Sequence, residues 1–256
     1  MTLRDGQCAW ITGASMGLGR ALALRCAREG WQVVASARGQ AGLDSLVEES
    51  AALPGNVVAV PLDVTDGQAV AAAVRQIETE IAPIGVAVLN AGTHRPIGAG
   101  DFKADDVETL LRLNVMGIAH CLEALLPAMI GRRGGQLALV ASLAGYAGLP
   151  SAAGYGASKA AVINMAESLK PELDALGVKI QVVNPGFVET PLTAKNAFPM
   201  PFLMPADAAA EAFFRGLLSR HFEIIFPRRF AYLMKCLRVL PYWLFFKLTR
   251  QALPKP

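Results

Sequence analysis

Cysteine and histidine are scarce in this sequence, and neither is arranged to bind a metal. The four cysteines form no CxxC pair, and the three histidines show no repeated ligand spacing. We therefore expect reduced, mostly packed thiols in a reducing compartment, and no metal site. Uninterrupted apolar runs of eighteen or more residues are also absent, which argues against an ordinary membrane-spanning helix.

The first residues, MTLRDGQCAWITGAS, lack the basic region, apolar core and cleavage site of a secretory signal. A cytoplasmic location is therefore expected.

Acidic residues are missing from the end of the chain. Every Asp and Glu lies at or before Glu223, and seven Lys and Arg residues follow it. The chain before them holds 17 basic and 21 acidic residues, so the body carries −4 and the tail +7. This asymmetry is typical of a tail with an acidic partner.

Of the 256 residues, 53% are apolar and 18% are charged, which suits one large domain with a substantial core. Continuous apolar segments alternate with helical patterns. The strand-like segments are CAWIT, WQVVASA, NVVAVPLDV, VAVLN, GQLALVAS and VKIQVVNPG. Helices are predicted at about 18–29, 41–52, 69–81 and 105–130, and around Tyr155. The alternation predicts an α/β single-domain Rossmann fold, a doubly wound parallel sheet covered on both faces.

A glycine-rich segment, ITGASMGLGRALA, joins the first predicted strand to the first helix. Gly13, Gly17 and Gly19 allow a tight turn and a close approach of the backbone to a ligand. The helix behind them presents free N–H groups and the positive end of its dipole to a pyrophosphate. This position, between strand and helix, predicts a dinucleotide site.

The end of the second strand, VVASARGQ, indicates which dinucleotide binds. An NAD site usually has an acid here for the ribose 2′-hydroxyl, but this chain has Ser36 and Arg38. Arg38 can pair with a 2′-phosphate and Ser36 can hydrogen-bond to it, so we expect NADP(H) rather than NAD(H).

Tyr155 and Lys159 stand four residues apart at the start of an Ala-rich helical segment. Residues at i and i+4 share one helix face, so the ammonium is expected near the phenol. Such a pair is either a surface feature or a phenol adjusted to pass a proton.

Seven short motifs together resemble the short-chain dehydrogenase/reductase family. They are TGASMGLG at 12–19, DV at 63–64, NAG at 90–92, Asn114, Ser142, YGASK at 155–159 and PGFVETP at 185–191. The resemblance covers about residues 7–191, continues more loosely to about 226, and implies about seven strands.

The resemblance implies four catalytic residues. Tyr155 would be the general acid that protonates a developing alkoxide, or the base in the reverse reaction. Lys159 would lower the pKa of the phenol and hold the nicotinamide ribose. Ser142 would orient the substrate oxygen, and Asn114 would hold a water that links Lys159 to solvent.

The family's cofactor contacts are likewise carried onto matching positions of this chain. They are Gly13, Ser15, Met16, Gly17, Leu18 and Gly19 in the loop; Ser36, Arg38, Asp63 and Val64; Asn90, Ala91 and Gly92; Tyr155 and Lys159; and Pro185, Gly186, Val188 and Thr190.

The segment at about 190–205 corresponds to the family's substrate lid and is rich in Pro, Met and Phe. Leu192, Phe198 and Phe202 are expected to bind substrate together with Ser142 and Tyr155. This apolar cover indicates a lipophilic carbonyl or alcohol.

The chain beyond the catalytic domain (residues 1–226) is a basic, apolar tail (residues 227–256). Its Trp, Tyr and basic residues are typical of helices that lie in the plane of a membrane surface, and Pro241 should interrupt the helix. Three alternatives stay open: packing on the domain, covering the substrate mouth, or contacting another subunit. Nucleic-acid binding is not indicated, because the tail has few cations per apolar residue and no reading module.

The sequence is thus interpreted as an NADP(H)-dependent carbonyl reductase or alcohol dehydrogenase. Two alternatives are a soluble 3-oxoacyl thioester reductase and a non-catalytic NADP-binding scaffold or sensor. The resemblance also implies a homodimer or homotetramer, formed through the helices that bear Asn114 and Tyr155.

Overall fold

The computed structural model describes residue 3, residues 6–195 and residues 200–252. Seven parallel strands form one sheet in the order β3-β2-β1-β4-β5-β6-β7. The strands are β1 (Cys8–Thr12), β2 (Gln32–Ser36), β3 (Asn56–Ala59), β4 (Ile84–Leu89), β5 (Gln136–Val140), β6 (Lys179–Pro185) and β7 (Glu223–Phe226). The strand order reverses between β1 and β4, so the ligand crevice of a doubly wound sheet is expected at the carboxyl ends of these strands. The predicted fold class is confirmed.

Nine α-helices connect or follow the strands in the described part of the chain. They are α1 (Gly17–Arg28), α2 (Gln40–Ser50), α3 (Gly67–Gln76), α4 (Ala104–Leu111), α5 (Gly117–Gly131), α6 (Ala153–Ala175), α7 (Ala206–Leu218), α8 (Arg228–Arg238) and α9 (Tyr242–Thr249). One apolar core packs α1, α2 and α7 on one face of the sheet, and a second packs α3, α5, α6 and α8 on the other.

The third strand ends at Ala59, whereas the sequence predicts that it continues to Val64. Beyond it the amides of Val60 and Leu62 still donate to the carbonyls of Ala35 and Ala37. Pro61 between them has no N–H to add to the ladder, so the regular pattern stops there.

Two helices contain turns in the wider π geometry, at Ile77–Ile81 after α3 and at Arg112–Met116 between α4 and α5. The second π turn joins α4 and α5 into one continuous helical segment, Ala104–Gly131. By length and composition alone, this segment is able to cross a bilayer. Its residues Ile118, Leu125 and Met129 are buried against the sheet, as expected for a core helix of the domain.

The tail is not separate from the domain throughout its length. Ala231 and Met234 of α8 are buried in the same core as α6, so this helix packs on the domain, one of the alternatives left open. The helix ends before Pro241, which caps the start of α9, as predicted.

Three of the four cysteines, Cys8, Cys26 and Cys121, are buried thiols, and Cys236 is exposed. No group of three or more His, Cys, Asp or Glu side chains is placed to hold a metal in the described residues.

Candidate active site

Tyr155 and Lys159 lie one turn apart near the beginning of α6, beside the carboxyl end of β5. The Lys159 Nζ atom is 5.8 Å from the centre of the Tyr155 ring and donates a hydrogen bond of 2.9 Å to the carbonyl of Val140, the last residue of β5. Tyr155 is half-buried, whereas Lys159 is 4% exposed. The predicted shared helix face is confirmed.

Ser142 reaches the phenol because the loop after β5 packs directly on α6. A Cβ atom added to Gly145 would lie 2.8 Å from the carbonyl carbon of Lys159, so only glycine permits this close approach. Ser142 begins the 3₁₀ turn Leu143–Gly145, and its Oγ accepts a hydrogen bond from the Ala144 amide.

Burial dominates the electrostatics of this pair. It raises the pKa of Tyr155 above its ordinary value, although the Ser142 hydroxyl acts to lower it. Burial also lowers the pKa of Lys159 from 10.5 to about 8. In the protein chain without cofactor the pKa of Tyr155 is thus raised, because burial disfavours the charged phenolate.

Asn114 lies in the π turn before α5 and is completely buried. Its Nδ2 donates to the Thr93 carbonyl and to Ser158 Oγ, both at 3.0 Å, and its Oδ1 accepts from the Thr93 amide. A Cβ on Gly92 would lie 3.1 Å from Asn114 Oδ1 and 3.4 Å from Lys159 Nζ, so these three residues meet. The side-chain nitrogen therefore donates both of its hydrogens within the protein.

The loop between β1 and α1 has the geometry that a pyrophosphate requires. Gly13 and Gly17 have positive φ angles of 67° and 58°. A Cβ on Gly19 would lie 2.4 Å from the Gly13 carbonyl oxygen. No side chain caps the N-terminus of α1, and its first turn holds no acid, so its free N–H groups suit an anion. Ser15 and Met16 lie in the same loop, with Met16 exposed, and Leu18 lies in the first turn of α1.

The turn after β4 is tied to this loop. Asn90 Nδ2 donates to the carbonyls of Thr12 and Gly13, and the amides of Asn90 and Ala91 both donate to Thr12 Oγ1. The resemblance assigns this turn a role beside the cofactor, and its contacts also hold the ends of β1 and β4 together.

The loop after β6 forms the opposite wall of the crevice. A Cβ on Gly17 would lie 3.2 Å from Thr190 Cγ2, so the two loops touch. Pro185 ends β6, and its carbonyl lies 3.5 Å from Ser142 Oγ. Gly186 follows, and Val188 is buried and bridges to Met204, which closes the base of the lid.

Arg38 and Asp63 line a cavity of about 600 Å³ together with residues 60–62, which follow β3, and residues of α3. Burial acts to raise the pKa of Asp63, but hydrogen bonds from Thr65 and the charges of Arg38 and Arg112 hold it below its ordinary value. Val64 next to it is buried, and its carbonyl lies 3.0 Å from His120 Nδ1.

Ser36 does not have the predicted role. It is 1% exposed, and its Oγ accepts a hydrogen bond of 2.9 Å from the indole N–H of Trp10. The expectation that it binds a 2′-phosphate is therefore wrong, because the sheet buries its hydroxyl. Arg38, two residues further on, is exposed.

Three aromatic rings pack in a row beside the loop after β6. Phe230 of α8 stacks on Phe187 at 5.6 Å and on the predicted lid residue Phe202 at 5.8 Å between ring centres. A Cβ on Gly186 would lie 3.0 Å from the Phe230 ring, so the row reaches the predicted nicotinamide loop. Leu192 is half-buried near the base of the lid. The predicted contact Phe198 lies outside the described residues.

Three residues near the site were missed by the sequence analysis. His94 makes an edge contact with the Tyr155 ring, with 4.6 Å between ring centres. Phe187 lies within the PGFVETP motif, and Phe230 lies in the tail. No local pattern marks any of the three as a site residue, because their proximity depends on how the loops and α8 pack.

The sequence matches the short chain dehydrogenase family over residues 7–199. The chain is a short-chain dehydrogenase/reductase. An uncharacterised oxidoreductase of Myxococcus xanthus is 40% identical over 237 residues, 93% of this chain and 94% of the relative. The 3-oxoacyl-acyl-carrier-protein reductase FabG of Thermotoga maritima is 36% identical, covering 75% of this chain and 78% of the relative.

Solved members of the family share the whole architecture. A short-chain dehydrogenase from Sphingobium yanoikuyae in complex with NADPH has a TM-score of 0.79 and 27% identity, covering 96% of this chain and 94% of its own. A short-chain dehydrogenase/reductase from Burkholderia phymatum in complex with NAD has a TM-score of 0.84 and 25% identity, covering 100% and 99%. This short-chain dehydrogenase/reductase is thus an NAD(P)-dependent oxidoreductase, and its glycine loop and uncapped α1 fit the cofactor's pyrophosphate.

Proposed function

We propose that this enzyme uses NADP(H) to interconvert a carbonyl and an alcohol on a lipophilic substrate, with Tyr155 as general acid and base. The observation that carries the proposal is the meeting of Ser142, Tyr155 and Lys159 at the inner end of an aromatic row. A screen of ketosteroids, long-chain 3-ketones, retinoids and acyl thioesters with NADPH tests it. If the enzyme turns over none of these substrates, the proposal is contradicted.

The reduced nicotinamide, when bound, supplies a hydride to the carbonyl carbon. Ser142 donates a hydrogen bond to the substrate oxygen and fixes it beside the phenol. Tyr155 transfers its proton to that oxygen as negative charge develops, and its raised pKa keeps the phenol protonated and ready to act as an acid at neutral pH.

Lys159 supplies a positive charge next to the phenol. Its ammonium has a single protein acceptor, the Val140 carbonyl, in the described residues, which leaves N–H groups for the ribose hydroxyls of the cofactor. A positive charge beside the phenol also favours the phenolate that remains after proton transfer. Asn114, next to Lys159 through Gly92, belongs to the path that returns a proton from solvent.

The preference for NADP(H) rests on Arg38. Arg38 is exposed two residues after the end of β2. The acidic residue that usually binds the ribose 2′-hydroxyl of NAD is absent at this position. Its guanidinium can pair with a 2′-phosphate that a carboxylate would repel. Of the two solved structures described above, one holds NADPH and the other holds NAD, so the preference needs its own test.

Arg38→Asp is expected to weaken NADPH binding on the order of 100-fold, because a charge-assisted pair is replaced by repulsion. NADH binding should be unchanged or improved. Fluorescence titration of both cofactors measures the two effects. Arg220→Asp, also at an exposed arginine but in the loop before β7, is the matched control. Unchanged NADPH affinity in Arg38→Asp would mean that another group selects the cofactor.

The lipophilic substrate class rests on the row Phe187, Phe230 and Phe202. Phe230→Ala is expected to raise KM for a long-chain ketone by about 10-fold or more, because a buried phenyl group contributes about 1.5–3 kcal/mol. The KM for a small soluble ketone should change little. Steady-state kinetics on both ketones measures the difference, with Phe102→Ala, at an exposed loop phenylalanine, as control. Equal changes for both ketones would argue against a role of the row in recognition.

A second candidate is a soluble 3-oxoacyl thioester reductase, which the similarity to the Thermotoga maritima enzyme favours. Higher kcat/KM on a 3-oxoacyl carrier-protein thioester than on free lipophilic ketones would support it. A non-catalytic scaffold is opposed by the complete set Asn114, Ser142, Tyr155 and Lys159.

We further infer a homodimer or homotetramer through the helices that bear Asn114 and Tyr155. Leu111 and Met116, in the helical segment Ala104–Gly131, are 37% and 47% exposed, as expected of apolar side chains that a partner covers. The location that fits these proposals is cytoplasmic, at a membrane surface.

A further inference from the structure

Helices α8 and α9 expose an unusual concentration of large apolar side chains. The exposed residues are Tyr232, Leu233, Val239, Tyr242, Trp243, Phe246 and Leu248. Tyr242 and Trp243 are 78% and 71% exposed, and the rings of Tyr242 and Phe246 stack on each other at 5.6 Å. We call this set of seven residues the tail face.

The same two helices also have buried residues, and those of α8 pack on the protein core. Ala231 and Met234 of α8 are buried in the core that also contains α6, and Phe245 and Thr249 of α9 are buried, so each helix has a buried side in addition to its exposed apolar residues. The apolar residues of the tail face are 41% to 80% exposed, so the domain leaves much of their surface uncovered. Apolar surface of this extent marks an interaction site.

Positive charge surrounds the tail face. Lys235 pairs with Glu223, whereas Arg228, Arg229, Arg238, Lys247 and Arg250 have no salt bridge within the described parts of the chain. No acidic residue follows Glu223 in the sequence. The surface combines aromatic rings that suit the lipid headgroup region with cations that suit anionic headgroups.

We propose that the tail face docks on the surface of an anionic lipid bilayer, with α8 and α9 lying in the membrane plane. A second copy of the chain fits less well, because a two-fold contact through this face would bring its cations against those of the partner. The helices contain 11 and 8 residues, too short to span a bilayer and suited to lying in its interface.

Docking in this orientation places the substrate entrance beside the lipid. Phe230 lies on α8 and stacks on Phe202, and Phe202 and the adjacent Leu203 are 48% and 41% exposed. A lipophilic ketone dissolved in the bilayer would reach the aromatic row without crossing water. Entry of substrate from the bilayer rests on the proposed function, whereas docking of the tail face does not.

Trp243 provides a built-in probe of docking. The other two tryptophans, Trp10 and Trp31, are 0% and 8% exposed, so a change in fluorescence on docking reports Trp243. Vesicles of phosphatidylcholine with phosphatidylglycerol should shift its emission to the blue, and brominated lipids should quench it. Binding to vesicles of phosphatidylcholine alone, measured by the same two signals, should be at least tenfold weaker. Added salt should weaken binding to the anionic vesicles.

Two full-length variants separate the apolar and electrostatic contributions. Tyr242→Ser/Phe246→Ser and Lys247→Glu/Arg250→Glu should each lower vesicle partition more than about tenfold in a flotation assay. Phe102→Ser and Arg220→Glu, at exposed sites elsewhere, should leave it unchanged. All variants should keep the wild-type thermal unfolding midpoint, which shows that they fold.

Absence of a Trp243 shift and of flotation for the wild-type chain would overturn the docking proposal and leave the reductase proposal intact. A wild-type dimer that the Tyr242→Ser/Phe246→Ser variant converts to monomer in light scattering would assign the tail face to a second copy instead. Docking of an enzyme that turns over no ketone would support docking and overturn the proposed function.

Discussion

Tyr155→Phe is expected to lower kcat/KM for carbonyl reduction by about 10²- to 10⁴-fold, the usual contribution of a positioned general acid. The phenol is the only proton donor proposed for the substrate oxygen, and phenylalanine keeps the ring that packs against His94. Cofactor affinity and the thermal unfolding midpoint should therefore change little. Stopped-flow measurement of NADPH oxidation gives the rate, and fluorescence titration gives the affinity.

The matched control is Tyr232→Phe, which removes a phenol that is 59% exposed on α8. It should keep wild-type turnover of a soluble ketone. Near-wild-type turnover by Tyr155→Phe would remove Tyr155 from the acid/base role. Loss of NADPH binding in the same variant would instead mean that the phenol holds the cofactor.

Lys159→Met is expected to abolish most activity and, at the same time, to stabilise the protein without cofactor. The Lys159 ammonium is buried, and burial lowers its pKa from 10.5 to about 8. That difference corresponds to about 3 kcal/mol of folding free energy. Methionine has a similar length and no charge to desolvate, so the variant should recover part of this cost.

The pH dependence has a definite sign. Below pH 8 the folded and unfolded states both bind the Lys159 proton, and the full cost of the buried charge is present. Between about pH 8 and about pH 10.5 the unfolded state binds more protons than the folded state, so the wild type gains stability as pH rises. The advantage of Lys159→Met should therefore shrink over this window.

Denaturant unfolding of both proteins at about pH 7 and about pH 9.5 measures this difference. Lys170→Met is the matched control, because Lys170 lies on the same helix with its side chain 33% exposed and pairs with Asp174. A stability difference between Lys159→Met and wild type that does not vary with pH would contradict the assignment. Retention of a costly buried charge is expected where function requires it.

Local patterns in the sequence were sufficient to place the first six strands and the glycine-rich loop. The first strand, CAWIT, was predicted with the bounds that the structure has, Cys8–Thr12, because a short apolar run bounded by glycine has few other interpretations. The seventh strand, Glu223–Phe226, has four residues and no such boundary, so the sequence analysis did not locate it.

The sequence by itself determined what depends on neighbouring residues: the strand and helix periods, the glycine spacing before α1, and the four-residue spacing that puts Tyr155 and Lys159 on one helix face. The tertiary structure alone decided what depends on burial and on contacts between distant segments. It turned Ser36 toward Trp10, and it made burial outweigh the Ser142 hydrogen bond in the pKa of Tyr155. It also brought Phe230 of the tail, 75 residues beyond Tyr155, to the active-site wall. Desolvation and long-range packing arise only when the chain is folded, so no local pattern records them.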